Sequence, residues 1–351
     1  MFGNRRKTIG VFINRLEMEF QKMLIKGLVS EALEYDFNLA FMDSYGIRES
    51  ENMYDYYESA IINFAPIEKF DAIIVALDTY DTPMLREKLL EALQHWAKCP
   101  VISFREENEI FYSVTSVANE LVEELVQHLV EKHGVKRLGF MAGYLGHVDS
   151  KLRYEGFCKK VESYGLKLEE NAIFYADMWK LKGEETYTYF FEGDGIRPEG
   201  IICANDYMAR ALCDAVLRHG LRIPQDVCIC GFDNVKESYH RSPELTTVAV
   251  DYERMAKEAI RLVDSILKGK NKERNIHIPA QLLLRESCCK NGVRKITKGS
   301  SEEIQKLDEF MEKHKAEMQI RPVFTTSWRE KSDTERQNMS EMLETTWGYD
   351  L

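Results

Sequence analysis

The sequence predicts an α/β fold in two doubly wound lobes, each with a parallel sheet. Hydrophobic residues make up 44% of the 351 residues, which is enough to bury a core in two lobes. Short, continuous apolar runs are typical of strands that are buried on both faces. These runs alternate with segments of helical periodicity, as expected for parallel sheets with right-handed crossovers.

The first lobe begins with the apolar run 8–13, which predicts a strand that ends at Asn14. Apolar residues from Phe20 onward then recur at helical spacing. Further strands are predicted at 39–42, 72–77 and 100–104, with a helix at 83–96.

The second lobe shows the same alternation. Helices are predicted at 119–131, 152–163 and 208–219, and strands at 138–142, 172–175, 201–204 and 227–230. Ligands of such sheets bind outside the carboxyl ends of the strands. A ligand is therefore expected near the loops at Asn14, Asp43, Asp78, Arg105, Gly143, Asp177, Asn205 and Asp233.

The C-terminal residues 291–351 differ from the rest of the chain. A capping-box spacing from Ser300 to Glu303 opens an amphipathic segment that extends to Met318, and a second such segment follows Pro322. We expect a helical extension whose apolar stripes pack on the lobes, on a second subunit or on an output domain.

Charge and hydropathy exclude several classes of protein. The net charge of -11 disfavours nonspecific binding to nucleic acid. No apolar run is long enough to span a membrane, and the N-terminus lacks the pattern of a secretory signal. A cytoplasmic protein without membrane contact is predicted.

No catalytic residue, cofactor or metal site is predicted. The signatures GxGxxG after the first strand, GxxxxGK[ST], GxSxG and HExxH are absent. The eight cysteines form no CxxC pair, and the adjacent Cys288 and Cys289 suit neither an ordinary disulfide nor a tetrahedral metal site. His128 and His133 lie five residues apart, which predicts separate surface positions.

Four ordered motifs carry a family resemblance. They are CANDYMA at 203–209, GLRIPQD at 220–226, GFDN at 231–234 and LTT at 245–247. Two further matches are Arg153 followed by Gly156 and Phe157, and LLLRES at 282–287. Over about residues 7–290 the chain resembles the effector-binding region of the LacI/GalR repressor family.

The resemblance implies a fold like that of the type I periplasmic binding proteins, with two lobes joined by three crossovers near 108–118, 240–252 and 268–276. The N-terminal lobe is then expected to comprise 7–112 and 248–270. The C-terminal lobe is expected to comprise 113–247 and 271–290, followed by 291–351 as a helical tail or connector.

The resemblance also implies a ligand site. Asn205, Asp233 and Arg153 match family positions that hydrogen-bond the effector, and together they offer an amide, an acceptor and a fork of donors. This set suits hydroxyl-rich ligands. The alternative is that Asn205 caps a helix and Asp233 shapes a turn.

Three more candidates follow from position. Phe20 aligns with an aromatic of the first βα loop in the family, and Trp179 lies where related repressors carry an aromatic facing the cleft. Both could stack on a sugar or base, or belong to the core. Asn14 is a further candidate polar contact.

The loop after the fourth strand departs from the family. Relatives commonly show Asp-Arg there, whereas this chain has Arg105 and Glu106. If Arg105 points into the cleft, its cation would suit an effector with a carboxylate or phosphate. A solvated Arg105 loop is the alternative.

The leading functional prediction is a small-molecule sensor for gene regulation, acting by cleft closure within a homodimer. The effector is expected to be a carbohydrate, a sugar acid, a phosphosugar or a nucleobase. Only seven residues precede Thr8, where family repressors carry a helix-turn-helix, so direct DNA contact is not expected. The alternative is the input module of a longer signalling protein, such as a cyclic-dinucleotide cyclase or a kinase, with the tail as transmitter.

Overall fold

A computed structural model of the chain describes residues 6–289, except 17, 45–61, 63, 81–82, 108, 145, 194 and 271–272. The predicted helical extension, 291–351, lies outside the described residues. Within them, no helix has both the length and the apolar character needed to cross a membrane.

The strands fall at regular intervals along the chain. In chain order they are β1 (Thr8–Asn14), β2 (Asn38–Ser44), β3 (Ala72–Val75), β4 (Val101–Phe104), β5 (Tyr112–Ser116), β6 (Leu138–Ala142), β7 (Ile173–Tyr175), β8 (Gly200–Cys203), β9 (Cys228–Phe232), β10 (Thr246–Val250), β11 (Asn275–Ile278) and β12 (Ala280–Leu283).

Helices connect most of these strands. They are α1 (Glu19–Glu34), α2 (Pro83–Trp96), α3 (Leu121–His133), α4 (Val148–Ser163), α5 (Gly183–Tyr187), α6 (Asp206–Arg218), α7 (Glu237–His240) and α8 (Tyr252–Leu267). Local chemistry sets several ends: Asn205 and Asp251 cap the first turns of α6 and α8, and Gly134, at a φ of 66°, ends α3.

The strands form two six-stranded sheets. The first has the order β11-β5-β4-β3-β1-β2, and all of its pairs are parallel. The second has the order β12-β10-β9-β8-β6-β7, in which β12 alone is antiparallel to its neighbour. The predicted α/β class with two parallel sheets is confirmed.

The sheet of the first lobe is covered on both faces, as its continuous apolar strands predict. Along β1, Ile9, Val11 and Ile13 pack with α1 and α8, whereas Phe12 packs with α2 on the opposite face. The second lobe buries a single large cluster around β6, β8 and β9.

The chain passes between the described sheets three times, and each passage is short. Val117 separates β5 from a 3-10 turn of the second lobe, Asp251 separates β10 from α8, and Pro279 separates β11 from β12. The backbone N–H of Val117 donates to the carbonyl of Ile278, so two of the passages lie side by side.

The strand pairing differs from the expected segment boundaries in the last part of the chain. The range 271–290 was assigned to the second lobe, yet β11 pairs with β5 in the first sheet, and the third crossover lies at Pro279 instead of 268–276. Conversely, β10 lies wholly in the second sheet, although 248–270 was assigned to the first lobe. Apolar periodicity identifies a strand but not the sheet edge that accepts it.

Candidate functional site

The carboxyl ends of the central strands of both sheets face a cleft between the lobes. Its lining includes Arg105 and Tyr252 from the first lobe and Asn119, Asp149 and Arg153 from the second. The space among these groups measures about 270 Å³, including the part open to solvent. Polar side chains that converge from two lobes on one space are typical of a small-ligand site.

Arg153 is held rigidly although it carries a charge. Its side chain is 2% exposed and lies over the Phe232 ring, with the guanidinium carbon 4.4 Å from the ring centroid. Nε donates to Asn119 Oδ1 at 2.9 Å, and one terminal nitrogen donates to the carbonyl of Ala204 at 2.5 Å. The second terminal nitrogen therefore has a fixed direction.

That second nitrogen points at two carboxylates. It lies 3.4 Å from Asp233 Oδ1 and 3.6 Å from Asp149 Oδ2. Asp233 also accepts a hydrogen bond from the Tyr252 hydroxyl at 3.1 Å. Arg153 and Asp233, which the motifs singled out, thus lie together, and Tyr252 joins them from the other lobe.

The backbone at Asp233 adopts an unfavourable conformation. Its φ is +94°, in the region that favours glycine, and Asn234 follows at +52°. Arg285 supports this turn by donating to Asn234 Oδ1 at 2.6 Å and to the carbonyl of Leu245 at 2.9 Å. Strained backbone that its surroundings hold in place is common at ligand sites.

Arg105 lies in the cleft and not in a solvated loop. Its guanidinium carbon is 4.7 Å from the centroid of Phe20 and 5.2 Å from that of Tyr252. Its terminal nitrogens lie 2.9 Å from Asp78 Oδ2 and 2.6 Å from Asp149 Oδ2. Arg105 therefore bridges the lobes, and two carboxylates already balance its charge.

The charges of the cleft shift the acidity of its carboxyl groups. Burial raises the pKa of Asp78 to about 6, and the Arg105 cation opposes that rise. Burial also favours the neutral form of Asp149, but Arg153 and Arg105 outweigh it and hold the pKa of Asp149 well below its usual range. Asp149 is therefore an anion at neutral pH.

Asn205 and Trp179 have structural partners. The Asn205 amide oxygen accepts from the N–H of Met208 at 2.9 Å, and its nitrogen donates to the carbonyl of Met178 at 2.8 Å. Trp179 is 37% exposed and packs on Tyr207, with centroids 4.8 Å apart. Neither side chain lines the space around Arg105.

Asn14 has no exposed surface in this structure. The residue is fully buried, its amide nitrogen donates to the carbonyl of Thr79 at 2.9 Å, and its amide oxygen accepts from Ser44 at 3.1 Å. These bonds join the end of β1 to Thr79 and to the end of β2. Phe20 contacts two residues that line the cleft, Tyr252, with centroids 5.4 Å apart, and Arg105, but does not line the space itself.

The sequence did not single out Asp149, Asn119 or Tyr252. Asp149 could have been found, because it lies four residues before Arg153 on α4 and hence on the same helix face. Asn119 and Tyr252 lie just beyond crossovers, where the spacing of apolar residues does not predict which way a side chain points.

A second polar group lies on the opposite side of the second sheet. Nε2 of His128 and Nε2 of His133 are 3.0 Å apart, which contradicts the prediction that the two rings are separate. Cys288 and Cys289 complete this group.

Comparison with known proteins identifies relatives of this fold. A periplasmic binding protein-like domain matches residues 126–288. The transcriptional repressor PurR of Pasteurella multocida is 33% identical over 156 residues, 44% of this chain and 46% of that protein. PurR of Photobacterium profundum is 23% identical over 287 residues, 81% of this chain and 82% of that protein.

Two solved structures share the fold at low identity. The transcription regulator CcpA of Lactococcus lactis aligns with a TM-score of 0.68 and 17% identity, covering 81% of this chain and all of that one. A Lac repressor dimer bound to operator and the anti-inducer ONPF aligns with a TM-score of 0.68 and 18% identity, and the alignment covers 82% of this chain and 95% of that one. Among the sequence relatives, this chain spans about half the length of the Pasteurella multocida PurR.

Proposed function

We propose that the chain carries an effector-binding domain of the LacI/GalR type and that it senses a small molecule in the control of transcription, in the cytoplasm. The matched relatives are transcriptional repressors and not enzymes. The observation that carries the proposal is the convergence of Arg153, Asp233 and Tyr252 from separate elements on one cleft.

The cleft favours a neutral polar ligand. Two guanidinium groups, Arg105 and Arg153, face three carboxylates, Asp78, Asp149 and Asp233, so no net positive charge remains for an anion. This balance disfavours the carboxylate or phosphate ligand that Arg105 alone suggested.

The groups that remain available define the ligand chemistry. The Asp149 carboxylate and the Asn119 amide line the space and can hydrogen-bond hydroxyl or ring N–H groups, and the Tyr252 ring lies beside them. A neutral ring that bears several donors has this chemistry, and both a carbohydrate and a nucleobase supply it.

Signalling is proposed to occur through closure of the cleft within a homodimer. Arg105 and Asp149 already join the lobes, and the backbone N–H of Lys236 donates to Glu19 across the same gap. A ligand that contacts both lobes binds the closed form more tightly and increases its population. Support for a dimer comes from the Lac repressor structure, which is dimeric.

Thermal unfolding of the full chain with candidate ligands tests the proposal. The ligands are screened in three groups: neutral sugars, nucleobases, and the anionic sugar acids and phosphosugars. A ligand at 100 times its dissociation constant should stabilise the fold by about 2.7 kcal/mol. Stabilisation by a neutral class supports the proposal, whereas stabilisation by anions alone, or by no class, contradicts it.

The Asp233→Asn variant tests the site itself. We expect ligand affinity to fall by about 10-fold or more, because a charged acceptor contributes about 1.5–3 kcal/mol to a hydrogen bond. The control is Glu155→Gln, which removes an exposed carboxylate from α4. Isothermal calorimetry with the stabilising ligand gives both affinities, and equal effects of the two variants would place the ligand elsewhere.

A further inference from the structure

Two histidines and two cysteines meet on the side of the second lobe opposite the cleft. His128 and His133 come from the last turns of α3, and Cys288 and Cys289 follow β12. Cys288 lies beside the first residue of β9, since its carbonyl is 3.8 Å from Cys228 Sγ. We call this group the His–Cys cluster.

The ligand atoms of the cluster are close together. His128 Nε2 is 3.0 Å from His133 Nε2 and 3.4 Å from Cys288 Sγ, and the two Sγ atoms are 3.7 Å apart. All four atoms lie within 4.8 Å of one another. The cluster thus brings four candidate ligand atoms together from three parts of the chain.

Three of the six separations among the four atoms are close to the edges of a tetrahedral zinc site, and the other three are at most 4.8 Å, so side-chain movements of about 1 Å would close the site. Zinc bonds of about 2.05 Å to nitrogen and about 2.3 Å to sulfur give tetrahedral edges of about 3.3 Å for N···N, 3.6 Å for N···S and 3.8 Å for S···S. The three observed distances lie within about 0.3 Å of these edges.

Helix geometry explains how residues five apart can meet. Side chains of a helix tilt toward its N-terminus, so His133, at the last position of α3, reaches back over the preceding turn toward His128. Adjacency alone led us to expect no tetrahedral site at Cys288 and Cys289, but the segment after β12 packs against this part of α3 and brings both thiols close to the rings.

We propose that the His–Cys cluster is a binding site for Zn²⁺, with four ligands: His128, His133, Cys288 and Cys289. Two thiolates neutralise the charge of the ion, which suits a partly buried position, and imidazole with thiolate is a ligand set for soft or borderline cations. Hard cations such as Mg²⁺ and Ca²⁺ prefer oxygen ligands and are not expected to compete.

The ion would link α3 to the end of the described chain. The ion would thereby hold Cys289 and the segment after β12 against α3. The site lies away from the cleft, and its existence does not depend on the identity of the effector.

Zinc titration of the full chain tests the proposal. The protein is stripped of metal, kept reduced with a phosphine, and titrated against a chromophoric chelator. We expect one Zn²⁺ per chain and a higher Tm for the zinc-bound protein. Cys289→Ser and His133→Gln should each weaken binding by more than the roughly 10–100-fold effect of removing an outer-shell partner.

Matched controls come from the first lobe. Cys99→Ser removes a half-buried thiol and His95→Gln an exposed imidazole, and both should leave zinc affinity unchanged. Circular dichroism shows whether each variant folds. Among the four ligands Cys288 alone is fully buried, so its substitution would also disturb the core. The Cys289 and His133 variants therefore give the decisive test.

Cobalt provides an independent readout of the ligands. Co²⁺ in the cluster should show thiolate-to-metal charge-transfer bands and the strong visible bands of tetrahedral coordination, and both should be lost in Cys289→Ser. The proposal is overturned if zinc binds with less than one ion per chain, if the cluster and control variants behave alike, or if cobalt shows no thiolate bands.

Discussion

A carboxyl group that faces away from the cleft supports the strained turn at Asp233. Asp206 is fully buried at the start of α6, where it accepts hydrogen bonds from Thr247 at 2.7 Å and from Ser238 at 2.5 Å. It also accepts from the backbone N–H of Val235 at 3.1 Å. Asp206 therefore holds the loop after β9 together with Arg285.

Asp206 should make stability depend on pH. Burial raises its pKa to about 7, so the folded state binds a proton more tightly than the unfolded state. The stabilisation is complete below the ordinary pKa of about 4 and is lost as the pH rises through about 7. At about 1.4 kcal/mol per pKa unit, the loss between pH 5 and pH 8 is at most about 3 kcal/mol.

Urea unfolding at these two pH values measures this loss. Asp206→Asn should show a smaller decline from pH 5 to pH 8 than the unsubstituted protein, although its stability at pH 5 will be lower because a hydrogen-bond acceptor is replaced. Asp78, whose pKa is about 6, also loses stabilisation over this pH range, but by the same amount in both proteins. An unchanged decline in the variant would show that Asp206 does not titrate in this range.

At the residue scale, the motifs led to part of the cleft. They pointed to Arg153 and Asp233, which lie together, because these residue types recur in order with their neighbours. The directions of the side chains could not be predicted. Arg105 turns into the cleft from a backbone φ of +68°, a conformation that an arginine in a sequence does not signal.

The two helices that cover one face of the first sheet, α1 and α8, approach each other closely. Gly27 of α1 faces the start of α8, where a Cβ atom would lie 2.4 Å from the carbonyl oxygen of Glu253 and 2.7 Å from the Cβ of Ala256. Backbone cannot move away as a flexible side chain can. The contact between α1 and α8 therefore requires glycine at this position.

Replacement of Gly27 by alanine should destabilise the first lobe. Overpacking typically costs about 1–3 kcal/mol, which outweighs the gain of about 1 kcal/mol in helix propensity. Lys22→Ala, at an exposed position of α1, is the control and should change stability by less than about 0.5 kcal/mol. Chemical denaturation compares them, and a Gly27→Ala protein as stable as the control would contradict the close packing.

At the element scale, the alternation of apolar runs and helical segments was sufficient to predict two parallel sheets. The helix predicted at 83–96 has those bounds as α2. The predicted second-lobe range 271–290 agrees with the sheet that β12 joins but not with that of β11; the two strands are four residues each and one residue apart, yet they join different sheets. Pairing partners far away in the sequence decide that outcome, and no local pattern reports them.

At the scale of the whole molecule, the lobes are joined by charge across the cleft. Asp149 on α4 of the second lobe binds Arg105 of the first, and Glu19 of the first accepts from the backbone of Lys236 in the second. Loss of the Asp149 charge should weaken the closed arrangement.

Small-angle scattering of Asp149→Asn tests this contact. We expect a larger radius of gyration than that of the unsubstituted protein, because the lobes separate more often. Glu155→Gln on the exposed face of the same helix should leave the scattering profile unchanged. Identical profiles for all three proteins would show that this ion pair does not hold the lobes together.

The single-residue passages at Val117, Asp251 and Pro279 restrict how the two halves can move. Consecutive Cα atoms are held about 3.8 Å apart across a trans peptide, so one residue cannot lengthen to let the halves slide or separate as rigid bodies. Proline removes one further torsion at the third passage. The remaining freedom is a small rotation about an axis near these residues, which converts a small angular change into a large displacement at the outer rims.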